Sequence, residues 1–470
     1  MIKNSIKMKN TLLLKPHVSR LTPHDFNTEA SKNTQRAPRA PYHWRLKAFS
    51  KQPLLVQITK LNLSLTIHVS RLTSSTHHSL LTTHLLLIIL LVSLSASSQS
   101  YKKIHEKAIL IDTHNDFPTT SIEKNVGLDQ DLKGKTHSDL KRFKEAGVDI
   151  QIFSIWCDGV KEQPYALANR QIDSVYEWTR RNPGQMMMVY NSKDLAMAVK
   201  QKKLGAMLGV EGGHMIENDL SKLEALYKRG VRYMTLTWNN STDWASSAME
   251  ETNTPNKLKQ KGLSDFGKQV VEKMNSLGML VDLSHTGEKT FWDAIAITTK
   301  PVLVSHSCSY TLCPIFRNLK DDQIKAIGKN GGVIHLNFFS GFVDSNFMRR
   351  TLQFNARHKA ERDSMLKTVT DPYFADLYLF DKYPDEVKSL RPPLEMLIDH
   401  LDYIVKLIGV DHVGMGSDFD GINSSPQQLD DVTGFPLITG ELLKRGYSKK
   451  DINKILGGNF IRLLKANEVH

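Results

Sequence analysis

The segment Ala206-Met207-Leu208-Gly209-Val210-Glu211 is a short apolar run that ends in a carboxylate, and Gly212-Gly213-His214 follows it directly. Seven other apolar runs of similar length resemble it, and most of them also end in polar residues: Ala108–Thr113, Asp149–Trp156, Tyr233–Trp238, Met279–His285, Pro301–His306, Gly332–Asn337 and His412–Asp418. Amphipathic stretches such as Leu220–Arg229 separate them, which is typical of βα units. Eight such units within about 370 residues predict one α/β domain, a (β/α)8 TIM barrel, rather than two domains.

Two segments fall outside this repeat. Met186-Met187-Met188 follows a turn and is interpreted as apolar filler. The longest connection, from Ser340 to about Pro393, is charged and aromatic. We interpret it as an inserted helical segment near the mouth of the barrel.

The positive charge of the chain is concentrated in its first hundred residues. The formal net charge is +13, but residues 1–100 hold 13 Lys and Arg against Asp25 and Glu29, which leaves 49 basic and 47 acidic residues in the rest. A nearly neutral body has no field that would attract a phosphate backbone. The charge distribution therefore argues against nucleic acid as a partner.

The N-terminal segment differs from the rest of the chain in composition and in hydrophobic pattern. Residues 1–80 lack apolar periodicity and are rich in Ser, Thr, His, Lys and Arg, so we predict a disordered basic segment. Residues 81–100 resemble a signal peptide, because the apolar run Leu85–Leu94 is too short to span a bilayer comfortably and small residues follow it. Since about eighty residues precede it, an over-extended reading frame and a membrane-anchoring segment stay open as alternatives. We expect residues 101–470 to be the barrel domain, periplasmic or secreted, without a membrane span once the signal peptide is removed.

The chain has three cysteines, Cys157, Cys308 and Cys313, without CxxC spacing. This pattern indicates neither a disulfide framework nor a zinc-thiolate site. A local pair between Cys308 and Cys313 stays open, because a disulfide also requires a suitable Cβ geometry.

Imidazoles and carboxylates close several of the predicted strands. The carboxyl ends of the strands meet at one rim of a (β/α)8 barrel, where the active site lies. Alternation along an extended segment directs His114 and Asp116 to the same side, so both can bind one cation, and the Glu211 carboxylate can offer an oxygen to each of two ions. The other residues of this kind are His285, His306 and Asp418.

Each of these residues alone has an ordinary explanation, because a single histidine beside an apolar run is more often a hydrogen-bonded structural residue. As a set, these residues indicate a shared function rather than separate structural roles. Five potential ligands at the ends of four strands would need several compensating partners if they were buried without a cation. Mixed imidazole and carboxylate ligation suits zinc or a similar divalent metal, so the pattern predicts a metal site.

Six ordered motifs between about Lys103 and Asn467 resemble those of the membrane (renal) dipeptidase family of binuclear zinc peptidases. They are His114-x-Asp116, Gly209-Val210-Glu211-Gly212-Gly213-His214, Asp282-x-Ser284-His285, Ser305-His306-Ser307, Arg317-Asn318 and Gly416-Ser417-Asp418-Phe419-Asp420-Gly421. The resemblance implies a barrel of the metal-dependent hydrolase type with two Zn²⁺ ions. By that resemblance, His114 and Asp116 bind one ion, His285 and His306 bind the other, and Glu211 bridges them.

The resemblance also implies the reaction, which is hydrolysis of the peptide bond of small dipeptides by attack of a metal-bridging hydroxide. It implies that Asp418 handles the proton and that Arg317 holds the C-terminal carboxylate of the substrate, a task that suits a guanidinium group. Acceptance of a C-terminal D-residue and a homodimeric state are further implications.

One position departs from the family pattern. A histidine often closes strand four and contacts the substrate, but here Thr237 is followed by Trp238-Asn239-Asn240. The substrate contact is therefore assigned to Asn239 or Asn240.

Two other functions stay open. A two-metal amidohydrolase that opens a lactone or cyclic amide could use the same barrel, although such barrels typically begin with His-x-His and use a lysine-derived bridge. The present chain has Asp116 and Glu211 in those places. The second alternative is a binding protein that keeps the barrel but has lost catalytic turnover. Trp238 is the one residue that favours this alternative.

Overall fold

The computed structural model describes residues 101–367 and 372–469, so the predictions for residues 1–80 and 81–100 lie outside the described residues. Within these ranges no helix combines the length and apolar character that crossing a membrane requires. Nine strands alternate with helices: β1 (Leu110–Asn115), β2 (Val148–Trp156), β3 (Met186–Met188), β4 (Leu204–Glu211), β5 (Val231–Thr235), β6 (Leu280–Asp282), β7 (Leu303–Ser307), β8 (Val333–Leu336) and β9 (Val413–Met415).

Eight of these strands form a closed parallel barrel, which confirms the predicted fold. Their order around the ring is β1, β2, β4, β5, β6, β7, β8 and β9, and β9 pairs with β1 through Met415 and Asp112. Strands β2 and β4 pair in continuous register up to Trp156 and Glu211. Each barrel strand overlaps one of the eight apolar runs, and because all are parallel, their carboxyl ends lie at one rim.

The interpretation of Met186–Met188 as filler is wrong, because this segment is strand β3. It pairs in parallel with the beginning of β4, from Leu204 to Ala206, whereas β5 pairs with the end of β4. Strand β3 therefore lies beside the closed ring and is not part of it. Three residues carry no readable periodicity, and tertiary pairing with β4 decides their conformation.

Helices follow most strands, and local capping marks many of their ends. In the helix Asp265–Leu277, the Ser264 hydroxyl accepts from the amide of Gly267, and Gly278 ends the helix with a φ of 75°. The helices are α1 (Phe117–Lys124), α2 (Leu140–Ala146), α3 (Pro164–Arg181), α4 (Ser192–Gln201), α5 (Leu220–Lys228), α6 (Ala248–Asn253), α7 (Asp265–Leu277), α8 (Glu288–Ile297), α9 (Asp321–Asn330), α10 (Ser340–Val343), α11 (Phe347–Arg357), α12 (Lys359–Met365), α13 (Pro372–Lys382), α14 (Pro384–Leu390), α15 (Leu394–Ile408), α16 (Phe435–Lys444), α17 (Lys449–Asn453) and α18 (Asn459–Asn467).

The long connection after β8 is helical, as predicted, and comprises α10 to α14. It has its own apolar cluster, in which Phe347, Phe354 and Leu390 are buried. Phe342 of α10 lines the cavity at the barrel mouth, and it packs against Phe339, which directly precedes the insertion and contacts this cluster. The insertion therefore contributes one wall of that cavity.

Buried apolar side chains fix the strands in place. One cluster contains Ile111, Met207, Leu280 and Leu303 from different strands, together with Phe460 from α18. Full burial of each such side chain stabilises the fold by about 1.5–3 kcal/mol. The strand ends therefore form a rigid platform for the polar residues that follow them.

The three cysteines are buried free thiols, so the local pair between Cys308 and Cys313 does not form. Burial raises the pKa of Cys157 and that of Cys313 to about 12. These thiols stay protonated at neutral pH and are unsuited to act as nucleophiles or metal ligands.

Candidate metal centre and active site

The residues predicted as metal ligands converge at the carboxyl rim of the barrel, with Glu211 at the centre. Its Oε2 atom lies 3.3 Å from Nε2 of His114. Its Oε1 atom lies 2.9 Å from Nε2 of His285 and 3.3 Å from Nε2 of His306. All four side chains are buried. One oxygen of Glu211 thus faces His114 and the other faces His285 and His306, and the stacked rings of His114 and His306, 3.8 Å apart, bring the two sides together.

Two more carboxylates lie on the His114 side of the cluster. Nε2 of His114 is 3.6 Å from Oδ2 of Asp116, and ligand atoms of His114, Asp116 and Asp418 lie within 4.8 Å of one another. Asp418 is held by Asn337, whose Nδ2 donates to its Oδ2 at 2.8 Å. The structure therefore groups Asp116 and Asp418 with His114.

Backbone strain occurs at two of these positions. His285 and Asp418 both have a φ of 62°, in the left-handed region that few residues other than glycine adopt. Such conformations cost on the order of 1–3 kcal/mol and persist only where the surrounding structure imposes them. The strain is therefore located at the candidate site.

The position of the ring proton on His114 follows from its neighbours. The Tyr233 hydroxyl donates to the carbonyl of Thr113 at 3.1 Å and lies 2.9 Å from Nδ1 of His114. Because its single proton is donated to Thr113, the hydroxyl accepts a hydrogen bond from the N–H group at Nδ1 of His114. The lone pair of His114 is therefore on Nε2, which faces Glu211.

The same reasoning applies to the other two imidazoles. Nδ1 of His285 lies 3.0 Å from Oδ1 of Asn239, which can only accept. Nδ1 of His306 lies 2.7 Å from the Ser305 hydroxyl, which donates to Asp282 at 2.6 Å. Both imidazoles thus donate from Nδ1 and direct a lone pair from Nε2 toward Glu211. Hydrogen bonds of this kind orient metal-binding histidines.

These residues fit bound cations. Three imidazole lone pairs face a carboxylate, and the Nε2 atoms of His285 and His306 lie 3.1 Å apart. Buried Nε2 of His114 and Oδ1 of Asp116 have no hydrogen-bond partner. Although burial opposes it, Tyr233, Glu211 and Asp116 raise the pKa of His114, so the surroundings of this imidazole favour a positive charge. The donor set of imidazole nitrogens and carboxylate oxygens is one that zinc and similar ions prefer.

The two central carboxylates differ in their proton affinity. Burial opposes ionisation of Glu211, but the nearby imidazoles, with His114 foremost, hold its pKa well below the usual range. Burial raises the pKa of Asp418 well above its usual range, and the charges of Asp116 and Glu211 raise it further. Glu211 is thus suited to remain an anionic ligand, and Asp418 is suited to carry a proton.

Arg317 lies buried beside the imidazoles. Its Nη2 atom donates to the carbonyl of His306 at 3.1 Å, and its guanidinium lies 5.3 Å from the ring of Phe342. Its buried Nε has no hydrogen-bond partner, and the described residues place no carboxylate within ion-pair distance of this guanidinium. Burial lowers the pKa of Arg317 to about 10, so it stays charged at neutral pH. An anionic group in the cavity could complete its bonding.

A cavity of about 90 Å³ opens above the cluster. Its lining contains Asp116, Glu211, His285, Arg317 and Asp418, together with the aromatic residues Trp156, Trp238, Phe339 and Phe342. Aromatic walls with a few converging polar groups are typical of a site for a small molecule.

The two asparagines assigned to substrate contact have different surroundings. Asn239 lines the cavity, but its Oδ1 atom is used to hold His285. Asn240 is not among the lining residues, its Nδ2 donates to the carbonyl of Ser241, and its side chain packs against Gly159. Both assignments stay predictions, with Asn239 the one that lines the cavity.

Sequence reasoning did not identify the residues that orient the imidazoles. Tyr233 lies inside a predicted strand, where its ring looks like ordinary core packing. A glycine gives the missing signal, because a Cβ atom at Gly209 would lie 2.0 Å from Cζ of Tyr233. Gly209 thus gives the Tyr233 ring the space to cross β4 and reach His114.

Comparison with known proteins agrees with this geometry. The sequence profile of the membrane dipeptidase family, peptidase family M19, matches residues 98–470. An uncharacterized dipeptidase of Schizosaccharomyces pombe is 30% identical over 393 residues, which are 79% of this chain and 84% of the relative. The structure of the probable dipeptidase PvdM from Pseudomonas aeruginosa has 26% identity and a TM-score of 0.66, over 79% of this chain and 98% of that one. A metallo peptidase from Rhodobacter sphaeroides, liganded with a phosphinate mimic of the dipeptide L-Ala-D-Ala, has 22% identity and a TM-score of 0.63, over 77% of this chain and 100% of that one.

A parallel barrel with buried imidazoles and carboxylates at its carboxyl rim defines the class of metal-dependent hydrolases. Within that class, the chain belongs to the membrane dipeptidase family of metallopeptidases. The family predicted from the six motifs is thereby confirmed.

Proposed function

We propose that this chain is a binuclear zinc dipeptidase that hydrolyses the peptide bond of small dipeptides. The observation that carries the proposal is the position of Glu211, whose Oε2 faces His114 while its Oε1 faces His285 and His306. One carboxylate that serves two groups of ligands is the arrangement expected of a bridge between two cations.

The proposed ligands divide into two sets. His114 and Asp116 would hold one ion, His285 and His306 would hold the other, and Glu211 would contact both. Bound there, two divalent cations lower the pKa of a shared water molecule and polarise the peptide carbonyl. Hydrolysis then needs no nucleophile from the protein.

Arg317 would fix the C-terminal carboxylate of the substrate. Its buried guanidinium has an unused Nε donor and lines the cavity. A charge-assisted hydrogen bond to a carboxylate is worth about 1.5–3 kcal/mol. Because this contact lies beside the cluster, it would restrict the enzyme to peptides whose carboxylate is one residue away from the scissile bond. The ligand mimic bound to the Rhodobacter sphaeroides protein makes L-Ala-D-Ala a suitable first substrate.

Asp418 would move the proton. In hydrolysis, the attacking water loses a proton and the leaving amine gains one. Asp418 lines the cavity, lies with Asp116 and His114, and has a raised pKa. It would accept the proton from the water and return it to the amine nitrogen as the C–N bond breaks.

A chelation-sensitive assay tests this function. Purified protein should hydrolyse L-Ala-L-Ala or L-Ala-D-Ala, lose the activity on chelation, and regain it with Zn²⁺. The Glu211→Gln variant should lose both metal and turnover, whereas Glu224→Gln, on the surface of α5, should keep both. Hydrolysis of a lactone without any dipeptide, or full activity in Glu211→Gln, would contradict the proposal.

We further propose that the protein is exported, periplasmic or secreted, and forms a homodimer. The apolar run Leu85–Leu94 followed by small residues supports export. Mass spectrometry of the N-terminus from the native host should find a mature chain that begins near residue 100. Light scattering of that chain should give twice its mass. An uncleaved cytoplasmic chain or a monomer would contradict the respective proposal.

A further inference from the structure

Two tryptophans form one wall of the cavity. The ring centroids of Trp156 and Trp238 lie 5.0 Å apart at an interplanar angle of 62°, an edge-to-face contact. Both residues are largely buried, both line the cavity, and they make up a separate apolar cluster. The Trp238 ring also lies 6.3 Å from that of His285. We call this pair the tryptophan wall.

The tryptophan wall and Arg317 belong to different parts of the barrel rim. Trp156 ends β2 and is in register with Glu211 of β4, and Trp238 follows β5. Strands β2 and β5 flank β4 in the ring. Arg317 instead follows β7, where it contacts the carbonyl of His306. In an eight-strand ring, β4 and β7 are separated by β5 and β6.

This layout orients a substrate, if the proposed dipeptidase function holds. With its carboxylate at Arg317 and its peptide carbonyl above Glu211, a dipeptide extends its N-terminal residue away from β7. That direction leads toward β2, β4 and β5, where the tryptophan wall stands. The wall therefore meets the side chain of the N-terminal residue.

We propose that the tryptophan wall is a specificity subsite for a large apolar or aromatic side chain on the N-terminal residue of the dipeptide. Two indole faces offer a wide apolar surface and favour edge-to-face or offset contacts with another ring. A charged side chain there would lose its hydration without gaining a partner of opposite charge from the wall. The inference rests on the proposed function and adds its substrate class.

Measurements of kcat/KM for the zinc-loaded enzyme test this proposal with dipeptides that differ at one end only. Since each methylene that fits an apolar pocket changes kcat/KM about tenfold or more, Phe-Ala and Leu-Ala should exceed Gly-Ala by at least about tenfold. Ala-Phe should gain less over Ala-Gly, because the wall does not face the C-terminal residue. Equal kcat/KM for Phe-Ala and Gly-Ala would overturn the subsite while leaving the dipeptidase intact. Failure to cleave any dipeptide would overturn both.

Variants of Trp238 connect the preference to the wall. Trp238→Ala should lower kcat/KM for Phe-Ala about tenfold more than for Gly-Ala, and Trp238→Phe should keep most of the preference. Trp292→Phe, outside the cavity lining, is the matched control and should keep the wild-type ratio. If Trp238→Ala does not fold, the proposal is tested by the kcat/KM ratio of Phe-Ala to Gly-Ala in the wild type and in Trp238→Phe. An unchanged ratio in a folded Trp238→Ala variant would overturn the proposal.

Discussion

The hydroxyl of Tyr233 lies 2.9 Å from Nδ1 of His114, although 119 positions separate the two residues in the chain. The contact requires Gly209, since any Cβ atom there would collide with the tyrosine ring. It fixes the tautomer of His114 and directs Nε2 toward Glu211. A residue of the barrel interior thus orients a candidate ligand at the rim.

Tyr233→Phe should weaken metal binding at the His114 side of the centre. The variant removes the acceptor for Nδ1 and keeps the ring, and loss of such an orienting partner typically lowers metal affinity about 10–100-fold. Competition with a chromophoric chelator measures the affinity. Tyr227→Phe, on α5, is the control, and wild-type affinity in Tyr233→Phe would disprove the orienting role.

Ser305→Ala should weaken metal binding at the His285 and His306 side of the centre. The Ser305 hydroxyl connects His306 to the carboxylate of Asp282. Without it, the His306 ring loses its Nδ1 acceptor, and we expect about 10–100-fold lower affinity for the ion that His306 binds. Ser276→Ala, on the surface of α7, provides the comparison. Simultaneous loss of both ions with equal affinity change would argue against two separate ligand sets.

Arg317→Met should lower kcat/KM for dipeptides about 10–100-fold, which corresponds to one lost charge-assisted hydrogen bond. Metal content should stay at the wild-type level. A dipeptide with an amidated C-terminus is the matched probe, because it lacks the carboxylate that Arg317 would bind. The wild type and the variant should cleave this amide equally slowly. A variant that lost activity toward the acid and the amide to the same extent would show that Arg317 has another role.

The raised pKa of Asp149 predicts that the stability of the fold depends on pH for a reason unrelated to the metal centre. Burial raises its pKa to about 6, and its carboxylate accepts one hydrogen bond, from the amide of Leu110 at 2.9 Å. A raised carboxyl pKa means that the folded state binds the proton more tightly, so stability falls as the pH rises from about 4 to about 6.

Asp149→Asn keeps an acceptor and removes the charge. It should raise the free energy of unfolding at pH 7.5 by about 1 kcal/mol, a value that discounts the partial exposure of this side chain. Below pH 4 the variant and the wild type should converge. Denaturant titrations at several pH values measure the difference, with exposed Asp131→Asn as control. A constant difference across this range would contradict the assignment.

Much of the fold could be predicted from local patterns. Each barrel strand is long or apolar enough to be recognised, and the turn from an apolar run to polar residues marks its carboxyl end. Strand Met186–Met188 could not be predicted, because its conformation depends on pairing with Leu204–Ala206. The strands of a (β/α)8 barrel are all parallel, so their polar carboxyl ends lie together at one rim.

The candidate site was predictable where residues end strands and unpredictable where they reach across the barrel. His114, Glu211 and His306 stand at strand ends, so their convergence follows from the fold. The contacts of Tyr233 with His114 and of Asn239 with His285 depend on how neighbouring strands close. The tryptophan wall likewise exists only because β2 and β5 flank β4.

The central claim is that Glu211 bridges two cations. The most direct measurement is anomalous X-ray diffraction at the zinc absorption edge, from crystals of the zinc-loaded protein. We predict two anomalous peaks, each about 2.0–2.2 Å from a different oxygen of Glu211, one beside His114 and Asp116 and the other beside His285 and His306. A single peak, or peaks that do not contact Glu211, would contradict the account.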